Sequence, residues 1–462
     1  MTCLVVAVIG LVAACTGTPP APDTGPTPAA APPGYQYPDP PPAPDGPLGG
    51  AVDDAIAALV AGLAAKELDT TAVEHIAVSK DARLGWFLAD VLRFIQQGPE
   101  QQQLLAAFEA VMSVDPSADP TFATNPWRSV TNHLIAWDLP AHRGYREDKA
   151  GLFTLIEPGW RPFFDDAESA IDWRIVSWGG VQIDNRPLGD DQPCPRGCIP
   201  ALDDPELVSG EAGRWYPDDA LVFGVEVNGE AVAFPKNMME VHELVNITIG
   251  RSRLGIPYCT LCGSAQAYLT DDVPAGIEPL VLRTSGLLSR SNKVMYDLGT
   301  LSVFDTFTGE AVSGPLHRAG FVLEQVSVVT TTWGEWRAAH PASRIVAEDG
   351  GIGQTYPADP LQGRDDAGPI FAVGPVDERF PVHAQVLGVV IADGTAVAFP
   401  VDQALAALGQ GRHVSVGEVE AYVDAGGLRA RMVGGDELPT HQAFWFAWSQ
   451  FHPGTLVWTP IG

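Results

Sequence analysis

The sequence predicts an α+β protein, with a helical N-terminal layer followed by a mostly antiparallel β body of two related lobes. Three observations carry this. Apolar residues recur at three- and four-residue spacing between 51 and 140; after Pro140 the texture changes to short β-branched and aromatic runs punctuated by Gly, Pro and Asp-Asp; and one hairpin-like segment occurs twice, at 222–235 and 386–400. The expected boundaries are 1–14 for a leader, 15–50 for a linker, 51–140 for the helices, 141–340 for the first β lobe and 341–462 for the second.

The leader is an apolar run over residues 4–14 that ends Leu11-Val12-Ala13-Ala14 directly before Cys15. It is too short to span a bilayer and has the small residues of a cleavage site. A cysteine at that point resembles the bacterial lipoprotein lipobox, which implies cleavage before Cys15, acylation of its thiol and an outward-facing protein anchored to the membrane of the cell envelope. Residues 16–50 hold 13 of the 41 prolines and little to bury, the composition of a spacer. Fully extended, it reaches about 100 Å at 3.1 Å per residue.

The helical stripes are Ile56, Leu59, Val60 and Leu63; then Leu84, Phe87, Leu88, Val91 and Ile95; then Leu104, Phe108, Val111 and Met112, with breaks at Gly98-Pro99 and Asp115-Pro116. In the β region, residues 173–178 and 181–183 read as strands. Each copy of the repeated segment carries a tight-turn signal, Asn228-Gly229 or Asp393-Gly394, between alternating apolar residues. Trp333, Trp336, His340, Trp445, Trp448 and His452 read as core.

Net charge argues against a nucleic-acid partner: the chain has a formal charge of −30, and beyond position 50 acidic residues outnumber basic ones 54 to 27. The acidic loops lack the spacing of a calcium site. No G-x-S-x-G, H-E-x-x-H, P-loop or dinucleotide fingerprint is present.

Chemistry concentrates at the cysteines. Apart from Cys3 and Cys15 there are four, in two close pairs, as suits an oxidising compartment. Cys194-Pro195-Arg196-Gly197-Cys198 reads as a disulfide-closed loop. Cys259-Thr260-Leu261-Cys262 is a C-x-x-C pair in an apolar strand-turn-strand, with Gly263 placed for a positive-φ turn position. Residues 237–246 read as helical, so His242 shares a face with Met238 and Met239. Two thiolates, an imidazole and a thioether make a soft donor set, and Cys259, Cys262 and His242 are therefore expected to bind copper or zinc. If so, a His242 ring nitrogen lies within ~4 Å of a sulfur. The alternatives are a thiol–disulfide oxidoreductase using the same two cysteines, and a non-catalytic surface scaffold in which the pair is only a staple.

Several segments together carry a family resemblance: 218–231, His-Glu-Leu-Val-Asn at 242–246, Tyr-Cys-Thr-Leu-Cys-Gly-Ser-Ala at 258–265, Asn-Lys-Val-Met-Tyr-Asp at 292–297 and Phe-Trp-Phe-Ala-Trp at 444–448. The combination resembles the family called domain of unknown function 3179. The resemblance implies that His242, Glu243, Cys259, Cys262, Asn292 and Asp297 lie in family motifs, and it supplies no reaction. Glu243, Asn292 and Asp297 are thereby candidates for lining the site. Two positions depart from the pattern: Thr260, where proline is usual, and Ile247, where aspartate is usual.

Overall fold

The computed structural model describes residues 35–363 and 368–460. The leader and Cys15 lie outside them. Among the described residues no helix is long and apolar enough to cross a membrane. The architecture is α+β, and the chain divides into two compact units.

The first unit contains residues 35–182, 287–291 and 368–375. Its helices are α1 (Gly50–Ala64), α2 (Thr70–Ser79), α3 (Gly85–Phe94), α4 (Gly98–Met112), α5 (Pro126–Ala136), α6 (Tyr145–Ile156) and α7 (Arg161–Asp165). The apolar stripes face inward: Ile56, Leu59, Phe87, Leu88, Val91, Leu104, Phe108 and Met112 are all buried. Helices begin where the sequence supplies caps, Asp69 accepting from Ala72 N and Asn125 from Arg128 N, with Pro at the first turn of α4 and α5. Helical structure runs on to Asp165, past the expected boundary at 140. Of the two strands expected near 173–183, only Val176–Trp178 forms, paired with 287–289.

The expected spacer is also shorter than composition implied. Residues 35–49 lie on the helices: the Tyr35 hydroxyl meets His133 Nε2 at 2.9 Å, Trp137 Nε1 donates to the Pro38 carbonyl at 2.7 Å, and Arg83 donates to the Gly46 carbonyl at 2.6 Å. Two tyrosines and an extended proline backbone give this stretch something to bury after all.

The second unit contains 183–286, 292–363 and 376–460. Its strands fall into small, mostly antiparallel sheets. The hairpin Leu221–Val227/Glu230–Pro235 is flanked by Val328–Thr332 on one side and by Arg344–Val346, parallel, on the other. The hairpin Gln385–Val390/Ala396–Pro400 has equivalent neighbours, His441–Phe444 and the parallel strand Leu456–Val457. In each case the first flanking strand runs into a helix with a tryptophan, Trp336 or Trp448, that covers a hairpin glycine, Gly224 or Gly388. Each indole N–H then donates to a hydroxyl seven residues on, Ser343 Oγ at 2.8 Å or Thr455 Oγ1 at 3.0 Å. A boundary at 340 is nevertheless incorrect, because Arg344–Val346 completes the first hairpin's own sheet, and both hairpins belong to one compact unit rather than two lobes.

Candidate functional site

The thiol pair sits at the end of the long strand Ser252–Cys259, whose residues 252–257 pair with Leu244–Ile249. The next three residues, Thr260–Cys262, form one 3₁₀ turn, and Gly263 ends it with φ of 58°. Phe444's ring fills the space a Cβ at Gly263 would need, so both the dihedral and the packing call for glycine there. The chain returns through Ser264–Ala265, which places Ser264 opposite Cys259. Neither thiol is in a disulfide, and both are buried.

Helix α8 (Lys236–His242) delivers the second half of the site. Glu243 caps it in the left-handed region, φ 52°, and this bend turns the Glu243 carbonyl toward Tyr258 N, which donates to it at 2.8 Å. The Glu243 carboxylate accepts from the Thr260 hydroxyl at 2.8 Å and pairs with Lys293 at 3.3 Å. Lys293, on the strand Asn292–Asp297, also donates its ammonium to the Glu243 carbonyl and, at 3.2 Å, to the Tyr258 carbonyl. One buried cation therefore ties the cap of α8 to the strand that carries Cys259.

Burial alone would push the Cys259 thiol up. A hydrogen bond from Cys262, opposed by the Glu243 charge and aided by the backbone N–H and charge of Lys293, instead holds it below its ordinary value. Lys293 is itself lowered by burial, with Glu243 and the two thiols acting to keep it charged.

His242 does not join the thiols. Its Nδ1 lies 2.8 Å from the Pro200 carbonyl and its Nε2 lies 2.7 Å from the Tyr356 hydroxyl. A carbonyl only accepts, so Nδ1 carries the proton and Nε2 accepts from tyrosine. Both nitrogens are spent, and the Cys259–Cys262–His242 metal set is not assembled. The helix expected over 237–246 ends at His242, because Glu243 turns left-handed and 244–246 open the strand Leu244–Ile249; within α8 the ring is presented to the loop after Cys198. Met238 and Met239 are core residues, packed among Phe223, Val245 and Tyr258. Among the described residues, the one set of three ligand-type side chains with donor atoms within 4.8 Å of one another is Asp184, Cys194 and Cys198. Its sulfurs are joined in the expected disulfide, with a Cα–Cα distance of 5.4 Å. Asp184 accepts from Arg186 through both oxygens, at 2.8 and 3.0 Å, and from Ala201 N at 2.9 Å, which leaves it little capacity for a cation.

The remaining candidates separate. Glu243 belongs to the thiol site. Asp297 does not: its oxygens accept from Val281 N and Thr300 N, the work of a turn former. Asn292 directly precedes Lys293, and its buried carboxamide has no hydrogen-bond partner among the described residues. Lys293 was missed, although a lysine opening an apolar strand is a signal that the sequence offers. At the two departures, Thr260 supplies a hydroxyl to Glu243, and Ile247 is core.

A family model described as a protein of unknown function (DUF3179) matches residues 196–434. The chain belongs to this family. The DUF3179 match contains Cys259 and Cys262, His242, Glu243 and Lys293, and of the other pair Cys198 but not Cys194. Neither the curated proteins nor the solved structures contain a match.

His242 makes a prediction of its own. Burial pushes its pKa down to about 4. That lies below the ordinary value near 6.5, so as pH falls the unfolded chain binds the proton first. Stability is whole above about pH 6.5 and is lost progressively toward pH 4, by about 3 kcal/mol for this ring. Urea unfolding at pH 7 and pH 4.5 should show a smaller acid loss in His242→Gln than in wild type; equal losses would place the titration elsewhere. Burial also pushes His441 down to about 3 and His452 to about 4, and the comparison with the variant separates His242 from them.

Proposed function

We propose that the protein is a thiol–disulfide oxidoreductase of the cell envelope, held to the membrane through a lipid on Cys15 and acting through Cys259 and Cys262. The observation that carries this is the setting of the Cys259 sulfur, which accepts from Cys262 and from the Lys293 N–H beside a buried ammonium, an environment that favours thiolate. Thiolate at Cys259 attacks one sulfur of a substrate disulfide, forming a mixed disulfide and releasing the other half as a thiolate, which takes up the Cys262 proton. Cys262 then attacks Cys259 Sγ, closing the Cys259–Cys262 disulfide and releasing the second half. Two electrons pass from the dithiol to the substrate, and the reverse sequence oxidises a substrate dithiol. The twin hairpin sheets fit an origin by duplication of one hairpin unit, with thiols following the first copy only, on a strand of a neighbouring sheet.

Copper or zinc would have to be held at Cys259 and Cys262 without the imidazole, since His242 is committed to Pro200 and Tyr356. The test is metal content and thiol count on protein purified without chelator. The expected result is well under one metal ion per chain, with Cys259 and Cys262 alkylated together after reduction. One tightly held copper or zinc per chain, shielding both thiols until a chelator is added, would replace the redox reading by a metal-binding one.

A further inference from the structure

Around Cys259 stand three polar atoms that no group of the described residues satisfies: Ser264 Oγ, Asn292 Nδ2 and Asn292 Oδ1. Both side chains are sealed from solvent, Ser264 at 0% and Asn292 at 1% exposure. Ser264 is the antiparallel partner of Cys259, so their Cβ atoms stand about 4.5–5.5 Å apart on one face of the ladder. Asn292 is covalently joined to the Lys293 N–H that the Cys259 sulfur accepts, and one hydrogen bond plus two covalent bonds keep its Cα within about 6 Å of that sulfur. Buried polar groups are almost always paired, and those left unpaired call for a ligand, a water or a catalytic role. Here they belong to residues that neighbour Cys259, across the ladder for Ser264 and through the Lys293 N–H for Asn292.

We propose that Ser264 and Asn292 bind the peptide group next to the substrate's reacting sulfur, so that the natural substrate of the Cys259–Cys262 pair is a disulfide carried on peptide backbone. This rests on the redox reading above and adds the substrate class. A carboxamide with both ends unpaired offers donors at Nδ2 and an acceptor at Oδ1, the complement of a secondary amide with its one C=O and one N–H. In a half-cystine the adjoining amide atoms lie three bonds from Sγ, a few ångströms away, which matches the reach from Cys259 to Asn292 and Ser264. When the mixed disulfide to Cys259 forms, that amide is carried to these groups. A disulfide lacking amides has nothing to offer them. The least buried residues next to the pair are on the turn side, where Leu261, Gly263 and Phe444 are half-buried.

The test uses the fully reduced protein with two probes, glutathione disulfide, which carries peptide groups beside its sulfurs, and 2-hydroxyethyl disulfide, which carries none. Rates are scaled to those of free dithiothreitol with the same probes. Wild type should prefer glutathione disulfide by at least about tenfold, and Ser264→Ala and Asn292→Ala should each cut that preference by about tenfold, the effect of one lost hydrogen bond. Ser264→Ala should also melt at or above the wild-type temperature, because it deletes an unpaired buried hydroxyl; a serine with only a structural role would lower it. Ser264→Ala changes a single atom and so keeps the test open if Asn292→Ala fails to fold. An unchanged preference in a folded variant would show that these groups hold water only and overturn the subsite alone. Wild-type protein inert to both probes would overturn the redox reading, and the subsite with it.

Discussion

Replacing Cys259 with serine should reduce dithiol–disulfide exchange to the uncatalysed background. The attacking species is a thiolate, and a serine hydroxyl in the same place is not ionised near neutral pH. His242→Ala should behave differently: its ring is bonded to Pro200 and Tyr356, so the variant loses stability while exchange by the folded fraction persists. The contrast is measured by following reduction of a small disulfide by each purified protein. A His242→Ala protein that folds like wild type and is as inert as Cys259→Ser would return the imidazole to the thiol site.

The second large effect is expected at Lys293. Lys293→Met leaves the Glu243 carboxylate without its cation and removes the donor to the Glu243 and Tyr258 carbonyls. The side chains of the pair are only 5% and 14% exposed, so breaking it should cost about 3–5 kcal/mol. Removing both charges, as Lys293→Met with Glu243→Gln, should recover part of this, since no uncompensated carboxylate then remains. The function should move too. Loss of a cation beside Cys259 disfavours thiolate, so the alkylation rate of Cys259 should rise with pH along a curve displaced to higher pH in the single variant. Urea unfolding measures the first effect and iodoacetamide alkylation against pH the second. An unshifted alkylation curve would mean that Lys293 serves the fold alone.

What the sequence showed of all this follows from the range over which each signal acts. The stripes of α1, α3 and α4 are local periodicities, and Ile56, Leu59, Phe87 and Leu104 are buried as that period requires. Gly263 was equally legible, because a turn after C-x-x-C needs its conformation. His242 shows the limit. Its position on α8 was readable, but which neighbour its ring meets is decided by Pro200 and Tyr356, 42 and 114 residues away in sequence. Lys293 stood out in sequence as a lysine in an apolar strand, but its partners did not: only the folded chain shows that it meets Glu243 and Tyr258. The halves of the β body were misjudged at 340 because the parallel pairing of Arg344–Val346 with Glu230–Pro235 joins strands about a hundred residues apart, with no hairpin turn to announce it.

The most direct measurement of the central claim is a trap. Reduced Cys262→Ser protein, mixed with a small disulfide and then denatured and digested, should carry one half of that disulfide on Cys259 as a stable adduct, because the thiol that would resolve it is gone. Mass spectrometry locates it. A single adduct per chain on Cys259, with none on Cys262 in the reciprocal Cys259→Ser protein, is the predicted result; an adduct on Cys262 in its place, or no adduct on either cysteine in folded protein, would contradict the account.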